Sequence, residues 1–270
     1  MIHKKAALFG FSVLVLISMA ACKPKAESGD ITMKQGVLMV GMEIGYPPME
    51  YFDEDGKTPI GFDVEMGKAI AAKLGLTVEF VDTAWDGIFA GVDQNKYDCI
   101  MSSVTYTDER AARFNFTKPY VINAQYLIVR KDSLVKPKSL DDVPGLRLTF
   151  QGETTSDDLY QAWVNKTGAK VDTYPYDKVM NCFDELSFNR VDVILVDSVV
   201  ASDYLAKPDN PYEISALVSD DEVLAICLKK GNDALTAALN KALDELFADG
   251  TIVSISQRIF GADVVSPLWK

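Results

Sequence analysis

The stretch GFDVEMGKAIAAKL (residues 61–74) decides the fold. Phe62, Met66, Ala69, Ile70 and Lys73 share one face at helical spacing, which predicts an amphipathic helix over 64–75 with Asp63 as N-cap. Before it stands VLMVGM (37–42) and after it LTVEFV (76–81), both apolar runs of strand length. Strand, helix, strand is the unit of largely parallel α/β sheets.

The alternation continues outward. WDGIFAGVDQN (85–95) reads as a helix, YDCIMSS (97–103) as a strand, and TDERAAR (107–113) as a short helix starting near Thr107 or Asp108. YVINAQYLIVRKDS (120–133) has no helical period and reads as a long extended run. A second α/β set follows: strands LRLTFQ (146–151), KVDTYPY (170–176) and VDVILV (191–196), with helices TSDDLYQAWVNK (155–166), DKVMNCFDELSF (177–188) and SVVASDYLA (198–206). EVLAICLKKGN (222–232) is extended again. A helix at 232–248, with Leu235, Leu239, Leu243 and Leu246 on one face, and another near 251–260 close the chain. Two sets joined by two extended runs, with helices left over, predict a two-lobe α/β fold crossed twice by the chain. Lobe 1 is expected over 36–121 plus 224–270 and lobe 2 over 122–223, with a ligand cleft between them.

Composition narrows the chemistry. The 270 residues carry a formal net charge of −12, with no dense basic stretch, which argues against a nucleic-acid partner. His3 is the only histidine, so a Ser-His-Asp triad, a histidine base or a His-rich zinc site has no place in the folded body. Of four cysteines, Cys22 lies near the N-terminus; Cys99, Cys182 and Cys227 are odd in number and lack C-x-x-C spacing. Cys99 and Cys227 sit in apolar runs and read as small buried hydrophobes. No metal and no cofactor is expected.

The N-terminus reads as an export signal over 1–21. Lys4 and Lys5 precede the apolar run AALFGFSVLVLISMAA, 16 residues long and shorter than the ~20 of a membrane span. It ends in MAAC, which resembles a bacterial lipobox and marks Cys22 for lipidation, with 22–35 as a polar tether. The expectation is an exported acidic globule, lipid-anchored to a membrane outside the cytoplasm, monomeric, and attached to that membrane through the lipid alone.

In open parallel sheets, ligands collect where strands end and helices begin. Glu43 and Tyr46 follow the first strand, and Trp85 precedes the helix at 86. Ser102, Ser103, Thr105 and Arg110 follow DCIM; Gln151, Thr154, Thr155 and Ser156 follow LRLTF; Asp197 follows VDVILV. An arginine and an aspartate on facing lobes complement the carboxylate and ammonium of a zwitterion. Tyr46 and Trp85 could sandwich its side chain. The plainer alternatives are a solvated Arg110, an N-capping Asp197, capping Thr154, Thr155 and Ser156, and core aromatics.

GFDVEMGKAIAAKL resembles the signature of the family 3 bacterial extracellular solute-binding proteins. MSSVTYTDER (101–110), SLDDVPGLRLTFQGETTS (139–156), NRVDVILVDS (189–198) and ALDELFADGTIVSISQRIFG (242–261) resemble its recurring segments in order, over roughly 35–265. The resemblance implies a type II periplasmic-binding-protein-like fold that closes around one L-amino acid for uptake by an ABC-transporter permease. It matches Arg110 to the α-carboxylate grip, Ser103 and Thr105 to positions around the same groups, and Asp197 to the α-ammonium partner. Glu43, Tyr46 and Trp85 match the side-chain pocket, with Ser102 a neighbouring candidate. QGETTS (151–156) departs from the family's G-T-T or G-S-T, which leaves Thr154 and Thr155 both open as the carboxylate contact, and leaves open whether Glu153 faces the cleft. Glu43 between two aromatics suits a cationic or a neutral polar ligand. An acidic one is disfavoured, because no further Lys or Arg joins Arg110 among the candidates. The rival readings are a cyclohexadienyl dehydratase-like enzyme on the same scaffold, with Glu43 or Glu153 as general acid, and a sensor subunit.

Overall fold

The computed structural model describes residues 31–269; the signal segment, Cys22 and most of the tether lie outside the described residues. In chain order come β1 (Val37–Met42), the hairpin β2 (Tyr51–Phe52) and β3 (Pro59–Ile60), and α1 (Phe62–Leu74). Next are β4 (Thr77–Asp82), α2 (Trp85–Asp93), β5 (Cys99–Ile100), α3 (Asp108–Arg113) and β6 (Phe114–Phe116). β7 (Val121–Arg130) leads into β8 (Arg147–Gln151), α4 (Thr155–Thr167), β9 (Asp172–Tyr176), α5 (Val179–Ser187), β10 (Val193–Asp197) and α6 (Ser198–Ala206). β11 (Tyr212–Leu224) returns, followed by β12 (Cys227–Lys229), α7 (Asp233–Ala248) and α8 (Thr251–Phe260).

Two five-stranded sheets result, ordered β4-β1-β5-β12-β6 and β11-β7-β10-β8-β9. β1 is parallel to β4 and β5, and β8 is parallel to β9 and β10, as the α/β alternation requires. β7 and β11 pair antiparallel from Val121 opposite Leu224 to Arg130 opposite Tyr212, and they form the double connection between the lobes. β12 joins the first sheet, and α7 and α8 pack on α1, so the C-terminal segment closes the first lobe. Lys73 pairs with Asp249 at 2.7 Å and Arg258 forks onto Glu65 along that seam, although exposed pairs add only ~0–1 kcal/mol each.

The central strands of each sheet are buried on both faces. Along β10, Val193 and Leu195 enter one core while Ile194 and Val196 enter the other. Burying such side chains stabilises the fold by ~1.5–3 kcal/mol apiece, which is why this strand is a continuous apolar run. Cys99 and Cys227 fall in different cores, and all three described cysteines are free and buried. Burial pushes the Cys182 and Cys227 thiols up to about 12.

Three local expectations are corrected. α1 is capped by Gly61, at φ 122°, not by Asp63. A Cβ at Gly61 would lie 2.3 Å from the Met49 carbonyl oxygen, so only glycine fits. Asp63 is instead fully buried and accepts hydrogen bonds from the Ser103 N–H and the Tyr120 hydroxyl, both at 2.9 Å. Within YDCIMSS, only Cys99 and Ile100 join the ladder, because the chain turns away through a left-handed Ser103 at φ 51°. The second extended run begins at Tyr212 rather than Glu222; register shifts along 214–222 break its alternation. At the other end of the chain, Met33 N–H donates to Asp98 at 2.7 Å and Lys34 pairs with Glu79, so the last tether residues dock on the first lobe.

Candidate functional site

The strand ends of the two sheets face each other across a small polar cavity. The first lobe lines it with Glu43, Tyr46, Trp85, Ser102, Ser103, Thr105 and Arg110; the second with Gln151, Thr154, Thr155 and Asp197. Of the strand-end residues singled out from the sequence, all but Ser156 line this one cavity.

Arg110, in α3, is half-buried and makes no ion pair among the described residues. Its guanidinium carbon lies 5.7 Å from the Trp85 ring centre and 5.2 Å from that of Phe89, and Nη1 donates to the Thr105 carbonyl at 3.1 Å. Two aromatic faces and one carbonyl hold the group while other N–H donors stay available. Burial draws its pKa below the usual arginine value.

Asp197 occupies the N-cap position of α6, yet its carboxylate makes no capping bond. It accepts the Tyr46 hydroxyl at 2.7 Å and the Gln125 amide instead. Only 6 % of Asp197 is exposed, and burial pushes its carboxyl up against the pull of those donors. The capping alternative therefore does not describe this residue. Ser156, another candidate cap, donates to Gln125 Oε1 at 2.7 Å and orients that amide.

Glu43 accepts the Gln151 amide at 2.7 Å across the lobes, and Gln151 also donates to the Asp177 carbonyl at 2.9 Å. Burial pushes Glu43 up to about 7, opposed by the Gln151 bond and the Lys178 ammonium. Ser102 is spent on scaffolding: it donates to Glu50 at 2.7 Å and accepts the Glu43 N–H at 2.9 Å. Ser103 Oγ and Gln151 Oε1 are buried without a partner in the protein, so the cavity offers two unsatisfied polar atoms. The Trp85 indole donates to the Glu153 carbonyl at 2.9 Å, also across the lobes.

QGETTS forms the turn from β8 into α4. Glu153 is a left-handed residue at φ 60° that turns its carboxylate out and its carbonyl toward Trp85. Thr154 Oγ1 donates back to the Gln151 carbonyl at 2.7 Å, whereas Thr155 Oγ1 lies 3.4 Å from Thr105 Oγ1. Both threonines line the cavity.

Sequence reasoning missed the supporting layer. Glu222, on β11, reaches Gln125 and Asn123 at 2.8–3.1 Å and lies 3.4 Å from Thr105 and Thr155; burial and the Asp197 charge push its carboxyl up. Glu50 and Asp63 lie under Ser102 and Ser103, Glu50 pushed well up by burial and the Asp63 charge. Lys178 stands beside Glu43. The strand-end rule applied to KVDTYPY nominates Asp177 and Lys178; no sequence signal marks Gln125.

Two α/β lobes, two connecting strands and a polar cleft of paired opposite charge define a bilobal ligand-binding protein. The profile of the bacterial extracellular solute-binding proteins, family 3, matches residues 38–262, and the chain belongs to that family. The L-cystine-binding protein TcyJ of Escherichia coli (strain K12) is 32% identical over 96% of this chain and 96% of its own. L-cystine-binding protein TcyA of Bacillus subtilis (strain 168) is 32% identical over 97% and 99%. Among solved structures, an ancestral arginine-binding protein bound to arginine superposes with TM-score 0.78 at 34% identity, over 84% of this chain and 99% of that one. A T. maritima arginine-binding protein mutant gives 0.77 at 32%, over 84% and 96%. These relatives are named as binding proteins rather than enzymes.

Proposed function

We propose that the protein captures one L-α-amino acid, cationic or neutral polar, by closing its lobes on it, and hands it unchanged to an ABC-transporter permease. The observation that carries this is the unpaired Arg110 guanidinium and the buried, non-capping Asp197 carboxylate on opposite walls of one cavity. Arg110 takes the α-carboxylate bidentately and Asp197 the α-ammonium. Ser103 and Thr155 supply further polar contacts to these groups. Tyr46 and Trp85 flank the side chain, whose donors meet Glu43 and Gln151 Oε1. The bending elements are β7 and β11, so that residues 36–121 with 224–270 move against 122–223 as a monomer. A thermal-shift screen of the full-length protein in mild detergent against the twenty amino acids, ornithine and cystine tests the reading. A ligand at 100 times its Kd stabilises by about 2.7 kcal/mol; no shift with any amino acid overturns it.

Glu43 makes binding pH-dependent. In the ligand-free protein its carboxyl titrates near 7, so between about pH 4.5 and 7 the folded state holds a proton that the unfolded state has released. Stability therefore falls as pH rises through that window. A donor group on the ligand favours the carboxylate and expels this proton. Affinity should rise by up to about tenfold per pH unit below 7 and level off above it. Calorimetry in buffers of different ionisation enthalpy should detect more proton release at pH 6 in the wild type than in Glu43→Gln. Equal proton release in both rejects the assignment.

Export and lipidation at Cys22 would hold the binding protein beside its permease, and the acidic surface would meet basic permease patches. Cys22→Ala should shift the protein from the membrane fraction to the soluble exported fraction, with loss of the lipid mass. Unchanged sedimentation rejects the anchor.

A further inference from the structure

Beyond Glu43 and Trp85, which form the partition, the cleft continues into a second, more open chamber of about 240 Å³. Its lining is of mixed charge, with Glu43, Asp86, Glu153 and Asp177 beside Lys178. The Lys178 ammonium has no carboxylate within 4 Å among the described residues, and it reaches over the interface, since a Cβ at Gly45 would lie 3.8 Å from Nζ. The partition is made of side chains: the Glu43–Gln151 and Trp85–Glu153 bonds cross there, and the Gln151 amide touches the chamber through the Asp177 carbonyl.

We propose that this chamber is a distal subsite, and that the ligand is an amino acid with a second ammonium–carboxylate head at the far end of its side chain. Lys178 takes the distal carboxylate, and Glu43 with Asp177 takes the distal ammonium. The inference rests on the amino-acid-binding reading and narrows its ligand class. A lysine or arginine side chain reaching Glu43 would set a second cation beside Lys178. A simple carboxylate side chain reaching Lys178 would meet Glu43 and Asp177. Only a head bearing both charges answers both signs of the wall, and such a ligand is neutral overall.

L-Cystine is the probe, with L-glutamine and L-arginine as single-headed comparators, titrated calorimetrically into the full-length protein in detergent without reductant. Cystine should bind at least about tenfold more tightly than either comparator. Lys178→Ala should weaken cystine by roughly 3- to 5-fold, in the range of an exposed charge contact, while moving the comparators less than about twofold. Lys178 is exposed, so the variant should keep the wild-type melting temperature. A comparator that binds as tightly as cystine overturns the distal subsite and leaves the amino-acid reading intact, as does a Lys178→Ala effect that is absent or equal for all ligands. Binding of no amino acid at all overturns the reading of function itself.

Discussion

Arg110→Ala is expected to lower amino-acid affinity by roughly 30- to 5,000-fold, the ~2–5 kcal/mol cost of removing one partner from a desolvated charge pair. The closed cavity strips water from the ligand carboxylate, and without the guanidinium that charge stays buried and unpaired. Arg110 also lies over the Trp85 and Phe89 rings, so Arg110→Lys should recover only part of the loss: it restores a charge but neither the fork nor the planar group over those rings. Folding should change little, because within the protein Arg110 satisfies only the Thr105 carbonyl and makes no ion pair. Calorimetry with paired ligand-free melting curves checks both halves. Affinity within about threefold of wild type would remove Arg110 from the site.

Asp197→Asn should separate binding from stability. Affinity should fall by a comparable factor, because the ligand ammonium loses its buried counter-charge. The ligand-free protein should become more stable. Asp197 and Glu222 share the Gln125 amide, and each carboxyl is pushed up by burial, Glu222 also by the Asp197 charge. A carboxyl whose pKa is higher folded than unfolded contributes most to stability at low pH and loses that contribution as pH rises. Asparagine escapes the penalty, so the gain should be largest at neutral to alkaline pH and vanish in acid. About 1 kcal/mol corresponds to ~2–4 °C in a chain of this size. A variant that binds normally, or is less stable at neutral pH, contradicts this account.

The parts of the fold legible in the sequence were those that local periodicity encodes. The Val193–Val196 run reads as a doubly buried strand because its neighbours on both faces are apolar, and Leu235, Leu239, Leu243 and Leu246 reveal their helix face by spacing alone. Arg110 and Asp197 were found because a strand end followed by a helix start is itself a sequence feature. Asp63 misled for the same reason: an acid at a helix start reads as a cap, and nothing nearby in the chain says that Ser103 and Tyr120, 40 and 57 residues away, claim it.

The sequence by itself determined the alternation, the lobe count and the candidate lining, since each follows from residue type and short spacing. Only the tertiary structure decided how those residues act together. Tyr46 meets Asp197 across 151 residues of chain, and Glu43 meets Gln151 across 108. Those contacts exist only when two sheets close on each other. Closure also creates the burial that raises Glu43 and Asp197, enlists Glu222 and Gln125, and sets Lys178 against Glu43. Desolvation and charge proximity belong to the enclosed space between the lobes, and no local stretch of sequence contains that space.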